Sequence, residues 1–195
     1  MDRVGANFDN AVEEMRKKLG AYAYPVFLPI GKEQTFFGVI DVVNQKAVYY
    51  DPNDEIGLSC EIKEIPEDLK ERAKQALVQL IDDQPIEPLE LKAAIRRLTC
   101  KIELVPVLCG SAFKKRGIQP LIDAIIDYLP SPLDVPAAIG LEPGTDNGVA
   151  IKADDSNQFC SLAFKLWTDP YVGKLVFFRV YSGQLKKGNL IYNPR

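Results

Sequence analysis

The chain has 195 residues, with 24 basic against 27 acidic side chains for a net charge of −3, and 47% hydrophobic content. That balance excludes a disordered or collagen-like chain, and a chain of this length can bury roughly 70% of the surface its unfolded form exposes. Histidine is absent, which excludes a histidine-dependent triad and a histidine-ligated metal.

No apolar run approaches the ~18 to 20 residues that span a bilayer, and the first residues lack the basic-then-apolar order of a signal peptide. The expected compartment is the cytoplasm, with no membrane partner. Cys60, Cys100, Cys109 and Cys160 are widely spread and form no CxxC pair, so reduced thiols are expected.

In chain order, residues 7–19 read as an amphipathic helix. Phe8, Val12, Met15 and Leu19 recur at three- and four-residue steps, Arg16, Lys17 and Lys18 lie at the negative end of its dipole, and Gly20 offers a left-handed cap. Residues 24–50 turn to branched and aromatic side chains broken at Gly31-Lys32-Glu33 and Asn44-Gln45, the pattern of three antiparallel strands. Pro66-Glu67-Asp68 opens a helix that runs to about Ile81, and a second helix spans residues 88–100.

Residues 104–109, LVPVLC, form a short apolar run expected as a strand buried on both faces, at an edge or locally irregular at Pro106. Gly110-Ser111-Ala112 follows, then a helical stripe of Ile118, Leu121, Ile122, Ile125, Ile126 and Leu129. Buried strand, tight loop and amphipathic helix make the unit of an α/β sheet. Only one clear parallel strand is supplied, so the stripe lacks most of the sheet it would cover, and the sequence reads as a piece of something larger.

Pro130-Ser131-Pro132 stops that helix, and the turn-rich residues 133–157 read as a linker. Strands are expected again in FCSLAFKLW, LVFFRVYSG and NLIYN. Charge is divided unevenly. Residues 159–195 carry six cations, Lys165, Lys174, Arg179, Lys186, Lys187 and Arg195, against Asp169 alone, a surplus of five that leaves a net −8 on the first 158 residues. A basic module behind an acidic body is suited to a polyanion, and equally to a solvated basic face.

No G-x-x-x-x-G-K-[ST] phosphate loop occurs. Gly110-Ser-Ala-Phe-Lys-Lys-Arg-Gly117 has the wrong spacing for one, and reads as a basic strand-to-helix loop. Met1-Asp2-Arg3 before a helix, VPVLCGSAFKKRGIQPLIDAIIDYLPSPLDVP, and FKLWTDPYVGKLVFFRVYSG together closely resemble the bacterial-type translation elongation factor G family over essentially the whole chain. By that resemblance Met1-Asp2 matches the end of the Asn-Lys-x-Asp guanine box, and Gly110-Ser111-Ala112 the second base box.

The resemblance implies an α/β fold: residues 1–19 and 102–132 as the C-terminal part of a P-loop GTPase domain, residues 20–101 as an α+β insert, 133–157 as a linker, and 158–195 as the first strands of a β-barrel. Asp2, Ser111, Ala112 and Phe113 would then face guanine. Lys174, Arg179, Lys186 and Lys187 would face small-subunit ribosomal RNA, and the acidic helices of the insert would face the ribosomal stalk protein. Around Asp82-Asp83-Gln84-Pro85 the insert reads as shorter than is typical.

The full-length factor would bind GTP or GDP with Mg²⁺ and couple hydrolysis to movement of tRNA and mRNA. Its phosphate loop, switches and switch histidine would lie upstream, so this chain is expected to be inactive alone, to bind no nucleotide tightly, and to hold no metal. Other translational GTPases, of release factor three or ribosomal protection type, and a non-enzymatic ribosome-binding module are the alternatives. Partial or oligomerisation-prone folding is expected from the uncovered stripe.

Overall fold

A computed structural model describes residues 1–54, 57, 59–81, 86–142 and 144–193. Two compact units divide the chain, residues 1–129 and 130–195. Asp82 to Pro85, where the sequence reads as shortened, lies outside the described residues.

The first unit opens with α1 (Phe8–Leu19). Its N-cap is Asn7, whose side chain accepts from the Asn10 N–H, and Gly20 closes the helix in the left-handed region at φ 60°. The β segment that follows divides differently from its reading as three strands. Ala23–Pro25 is β1, Phe27–Ile30 is β2, Gly38–Asp41 is β3 and Lys46–Tyr50 is β4. One residue, Val26, makes the division. Its N–H donates to the Val107 carbonyl at 2.9 Å while its own carbonyl accepts from Val42 at 3.1 Å, so the chain passes from one sheet to another through a residue bonded to both.

A further strand, β5 (Cys60–Lys63), went unread in the sequence. It completes an antiparallel meander in the order β2-β3-β4-β5. All four of its residues are exposed, so no apolar alternation marks it. It is held by its ladder to β4, and Lys63, stacked on Tyr49 at 5.6 Å, gives this edge the charge that discourages further pairing.

Helices α2 (Glu67–Ile81) and α3 (Pro88–Cys100) follow, where they were expected. β6 (Val105–Val107) then pairs in parallel with β1, placing Pro106 opposite Tyr24. Among the described residues this pairing is two-stranded and leaves β6 a free edge, which is how a ladder tolerates a residue without an N–H. α4 (Ile118–Tyr128) ends the unit.

The meander is covered on both faces. Leu28, Ile30, Ile40 and Ala47 pack with Phe8 and Val12 of α1 and with Ala73 and Ala76 of α2. Phe27, Val39 and Tyr50 pack with Leu91 and Ile95 of α3 and Ala124 and Tyr128 of α4. Val39 and Ile40 are adjacent, face opposite ways and are both fully buried.

α4 buries a different face from the one its periodicity indicates. Ala124 and Tyr128 are buried, Lys92 of α3 pairs with Asp127 at 2.8 Å, and Arg96 donates to the carbonyls of Ile126 and Asp127. The stripe itself stays open, with Ile126 70% exposed and Leu121, Ile122, Ile125 and Leu129 between 41% and 52%.

In the second unit, residues read as linker contain a hairpin, β7 (Ala138–Leu141) with β8 (Gly148–Ile151). β9 (Cys160–Asp169) and β10 (Gly173–Ser182) form a longer antiparallel pair. The third expected strand, NLIYN, is not one. Residues 189–193 carry no strand, and Asn189 instead closes a turn by donating its N–H to the Lys186 carbonyl at 3.0 Å and accepting the Lys186 N–H at 2.8 Å.

Candidate functional site

Two segments far apart in sequence meet at the start of the first unit. The Met1 backbone nitrogen donates to the Gly110 carbonyl at 2.7 Å. Beside that contact the Ser111 hydroxyl, and after it the backbone of Asp2, hold the Asp2 carboxyl below the usual carboxylate range. Asp2 keeps 18% of its side chain exposed, enough for an outside donor to reach its oxygens, whereas Ser111 is buried.

The loop after β6 is built to present Ser111. The N–H of Ser111 donates to the Arg116 carbonyl at 2.9 Å and the N–H of Arg116 returns to that of Ser111 at 3.0 Å. The Ser111 Oγ accepts the Lys114 N–H at 3.1 Å, which fixes the hydroxyl within its own loop. Glycines are required at both ends. A Cβ on Gly110 would lie 2.7 Å from the Arg116 carbonyl, and one on Gly117, at φ 80°, would lie 2.8 Å from that of Cys109.

Of the expected guanine-facing residues, Asp2 and Ser111 are therefore on segments brought together, while Ala112 and Phe113 occupy the exposed outer part of the loop, Phe113 at 89% exposure. Residues unread in the sequence complete the surroundings. Arg116, one of three consecutive cations, is buried and donates to the Phe36 carbonyl, so it is not free to meet a phosphate. Glu33 accepts the Gly5 N–H on its carboxylate at 2.9 Å, and donates its own N–H to the Met1 carbonyl at 3.0 Å. A buried arginine gives no periodic signal within a Lys-Lys-Arg run, and Glu33 looks like an ordinary turn acid.

A carboxylate next to a loop of backbone N–H groups can accept two donors from one ring edge while the loop donates to an adjacent carbonyl. Cation binding is a separate matter. Among the described residues no group of three or more acids or cysteines converges in a way that could hold a metal.

The expected RNA-facing cations do not form one patch. Lys174 lies opposite Thr168 and Arg179 opposite Leu162 in the β9–β10 register, five residues apart along β10 and so on opposite faces. Arg179 instead shares its face with Lys165, which lies over Trp167 at 4.9 Å and Phe177 at 5.9 Å, and Arg179 itself stacks on Tyr181 at 5.3 Å. The other face carries Leu166, Val176, Phe178 and Val180. Lys186 and Lys187 belong to the turn beyond β10.

No described helix is long and apolar enough to cross a membrane. The model of the elongation factor Tu GTP binding domain matches residues 1–131. A crystal structure of a protein from Thermus thermophilus is similar over 95% of this chain, with a TM-score of 0.64 and 22% identity. The chain spans 27% of the length of that protein.

Proposed function

Since the chain belongs to the elongation factor Tu GTP-binding domain family, we propose that its first unit supplies the base-recognition end of the nucleotide site of a translational GTPase of elongation factor G type. Asp2 would accept from the guanine ring N–H and exocyclic amine together, and the backbone of the Ser111-Ala112 loop would donate to the guanine carbonyl. Adenine offers the reverse polarity at both places. Phe113 would lie against the base from the exposed part of the loop.

The observation that carries this reading is the hydrogen bond from the Met1 nitrogen to the Gly110 carbonyl, 109 positions away, which sets Asp2 beside Ser111. The phosphates and Mg²⁺ of GTP or GDP have no cradle in this sequence, so affinity here rests on the base alone. Hydrolysis, and the movement of tRNA and mRNA that it would drive, would need a phosphate loop and switch segments as well.

Titration of the chain with guanosine and with adenosine, followed by backbone amide NMR shifts, tests the reading. Guanosine is expected to shift residues 2 and 110–113 at millimolar concentration and adenosine not to. Asp2→Asn, which replaces an acceptor by a donor, should abolish the difference. Equal shifts from both nucleosides would refute base recognition.

The ribosome is the proposed partner. Its small-subunit RNA would meet the cation and aromatic face of β9–β10, and the stalk protein the acidic α2–α3 side, in the cytoplasm. The sequence TDPYVGKLVFFRVYSG favours elongation factor G over release factor three or a ribosomal protection protein. A non-enzymatic ribosome-binding module would keep the RNA contacts and show no guanine preference.

A further inference from the structure

The two segments that meet at Asp2 and Ser111 are each fastened to the same short piece of the insert. A 3-10 turn, Glu33–Thr35, joins β2 to β3. On one side of it Glu33 holds the N-terminal segment twice, by its N–H on the Met1 carbonyl and by its carboxylate on the Gly5 N–H. On the other side Phe36, fully buried, offers its carbonyl to the guanidinium of Arg116. The Phe36 N–H returns to the Glu33 carbonyl at 3.3 Å, closing the turn between the two attachments.

Arg116 in turn holds Ser111 by the reciprocal backbone pair. The circuit is complete: Met1 to Gly110, Ser111 to Arg116, Arg116 to Phe36, Glu33 to Met1. The base of the loop is pressed on the same sheet elsewhere, because the Tyr50 phenol of β4 is buried with the Gly117 backbone beside it, and its pKa is pushed up to about 12, chiefly by that burial. The carboxylate and the loop amides are thus set relative to each other through a turn that touches neither ligand-facing group.

We propose that Arg116 and Glu33 are positioning residues for base recognition, holding the Asp2 segment and the Ser111 loop at a fixed separation through the 33–36 turn of the insert. This deepens the guanine reading and rests on it. A site reading a base from two edges needs that separation to within a fraction of an ångström. Arginine is suited to the task because its planar fork can donate to a carbonyl while staying packed, and a buried guanidinium without its acceptor is costly.

The test compares guanosine and inosine, which differ only in the exocyclic amine that Asp2 would accept, on the full chain and on four variants, by amide NMR titration. Arg116→Met removes every donor at similar side-chain length. It is expected to weaken guanosine binding about tenfold, the scale of one hydrogen bond to a charged group, and to bring the guanosine-to-inosine ratio towards one. Arg116→Lys, which keeps one charged donor, should restore most of the ratio.

Should Arg116→Met fail to fold, Glu33→Ala decides the matter from the other side of the turn. Glu33 is only half-buried and its loss removes one bond to Gly5. The ratio should fall with the thermal midpoint nearly unchanged, and Glu33→Gln, still an acceptor, should recover it. A purely structural role would lower the midpoint and leave the ratio alone. Wild-type ratios in both Glu33→Ala and a folded Arg116→Met would overturn the proposal. Failure of the unmodified chain to distinguish guanosine from adenosine would remove the guanine reading itself, and this proposal with it.

Discussion

At the residue scale, Asp2 shows how a common side chain acquires a particular property. Its carboxyl is lowered from the ordinary value of 3.8, first by the Ser111 hydroxyl and then by its own backbone. Because the folded value lies below the unfolded one, the stabilisation from this pair is present above the ordinary pKa and is lost as pH falls through the folded value. Ser111→Ala should therefore move the Asp2 titration up towards 3.8, read from its carboxyl ¹³C shift against pH. The two proteins should differ in stability near neutral pH and converge under acid. Coincident titrations would mean that the hydroxyl contributes nothing to the carboxylate. Local surroundings also set the thiols apart: Cys109 is pushed up to about 12 by burial, while Cys60 and Cys100 are exposed.

At the element scale, the β9–β10 hairpin carries a prediction about its faces. Phosphate contacts weaken binding of any RNA uniformly when removed, and each lowers the salt slope by about one. Lys165 and Arg179 share a face, so Lys165→Ala with Arg179→Ala should lower the slope of binding to ribosomal RNA fragments by about two. Lys174→Ala, on the opposite face beside Val176 and Phe178, should leave it unchanged. An equal effect of Lys174 would place the RNA elsewhere. Charge counting alone treats these cations as equivalent, because strand parity acts only once the register and its irregularity between Phe177 and Phe178 are known.

The same distinction separates what could be read from residues and what could not. α1 was legible to its C-cap, since the apolar steps and Gly20 are local signals, while Asn7, read as the first helical residue, is its N-cap. The passage at Val26 was not, because an uninterrupted apolar run does not say which of two sheets will take each N–H. β5 and β8 are exposed almost throughout, and β7 alternates only between half-buried and exposed residues, so none of the three carries a buried face. In the site, Asp2 and Ser111 could be named from motif resemblance. Glu33, Phe36 and Arg116 could not, since what makes Phe36 and Arg116 partners is a meeting across 80 positions, and Glu33 meets Met1 and Gly5 only in the folded chain.

For the whole molecule, the open stripe of α4 has the largest consequence. Helical periodicity places Ile118, Leu121, Ile122, Ile125, Ile126 and Leu129 along one side, and the helix instead turns Ala124 and Tyr128 inward against α3. Five large apolar side chains, each 41% exposed or more, then lie along one helix. Covering what remains exposed on each would recover about half of the roughly 1.5 to 3 kcal/mol that burying a fully exposed side chain of this kind yields, so water is a poor neighbour for this surface and a contiguous patch of this kind promotes association. The chain is expected to self-associate with rising concentration in sedimentation experiments. Ile122→Glu with Ile126→Glu should return it to a monomer without loss of helix, because glutamate has at least the helix propensity of isoleucine and neither position is in the core. Guanosine binding at the Asp2–Ser111 contact should survive that double substitution, since none of the contacts that set the site involves either side chain. A wild-type chain that stays monomeric at all concentrations and unfolds in one cooperative transition would show that the stripe is tolerated in water, and the association expected from the sequence would be wrong.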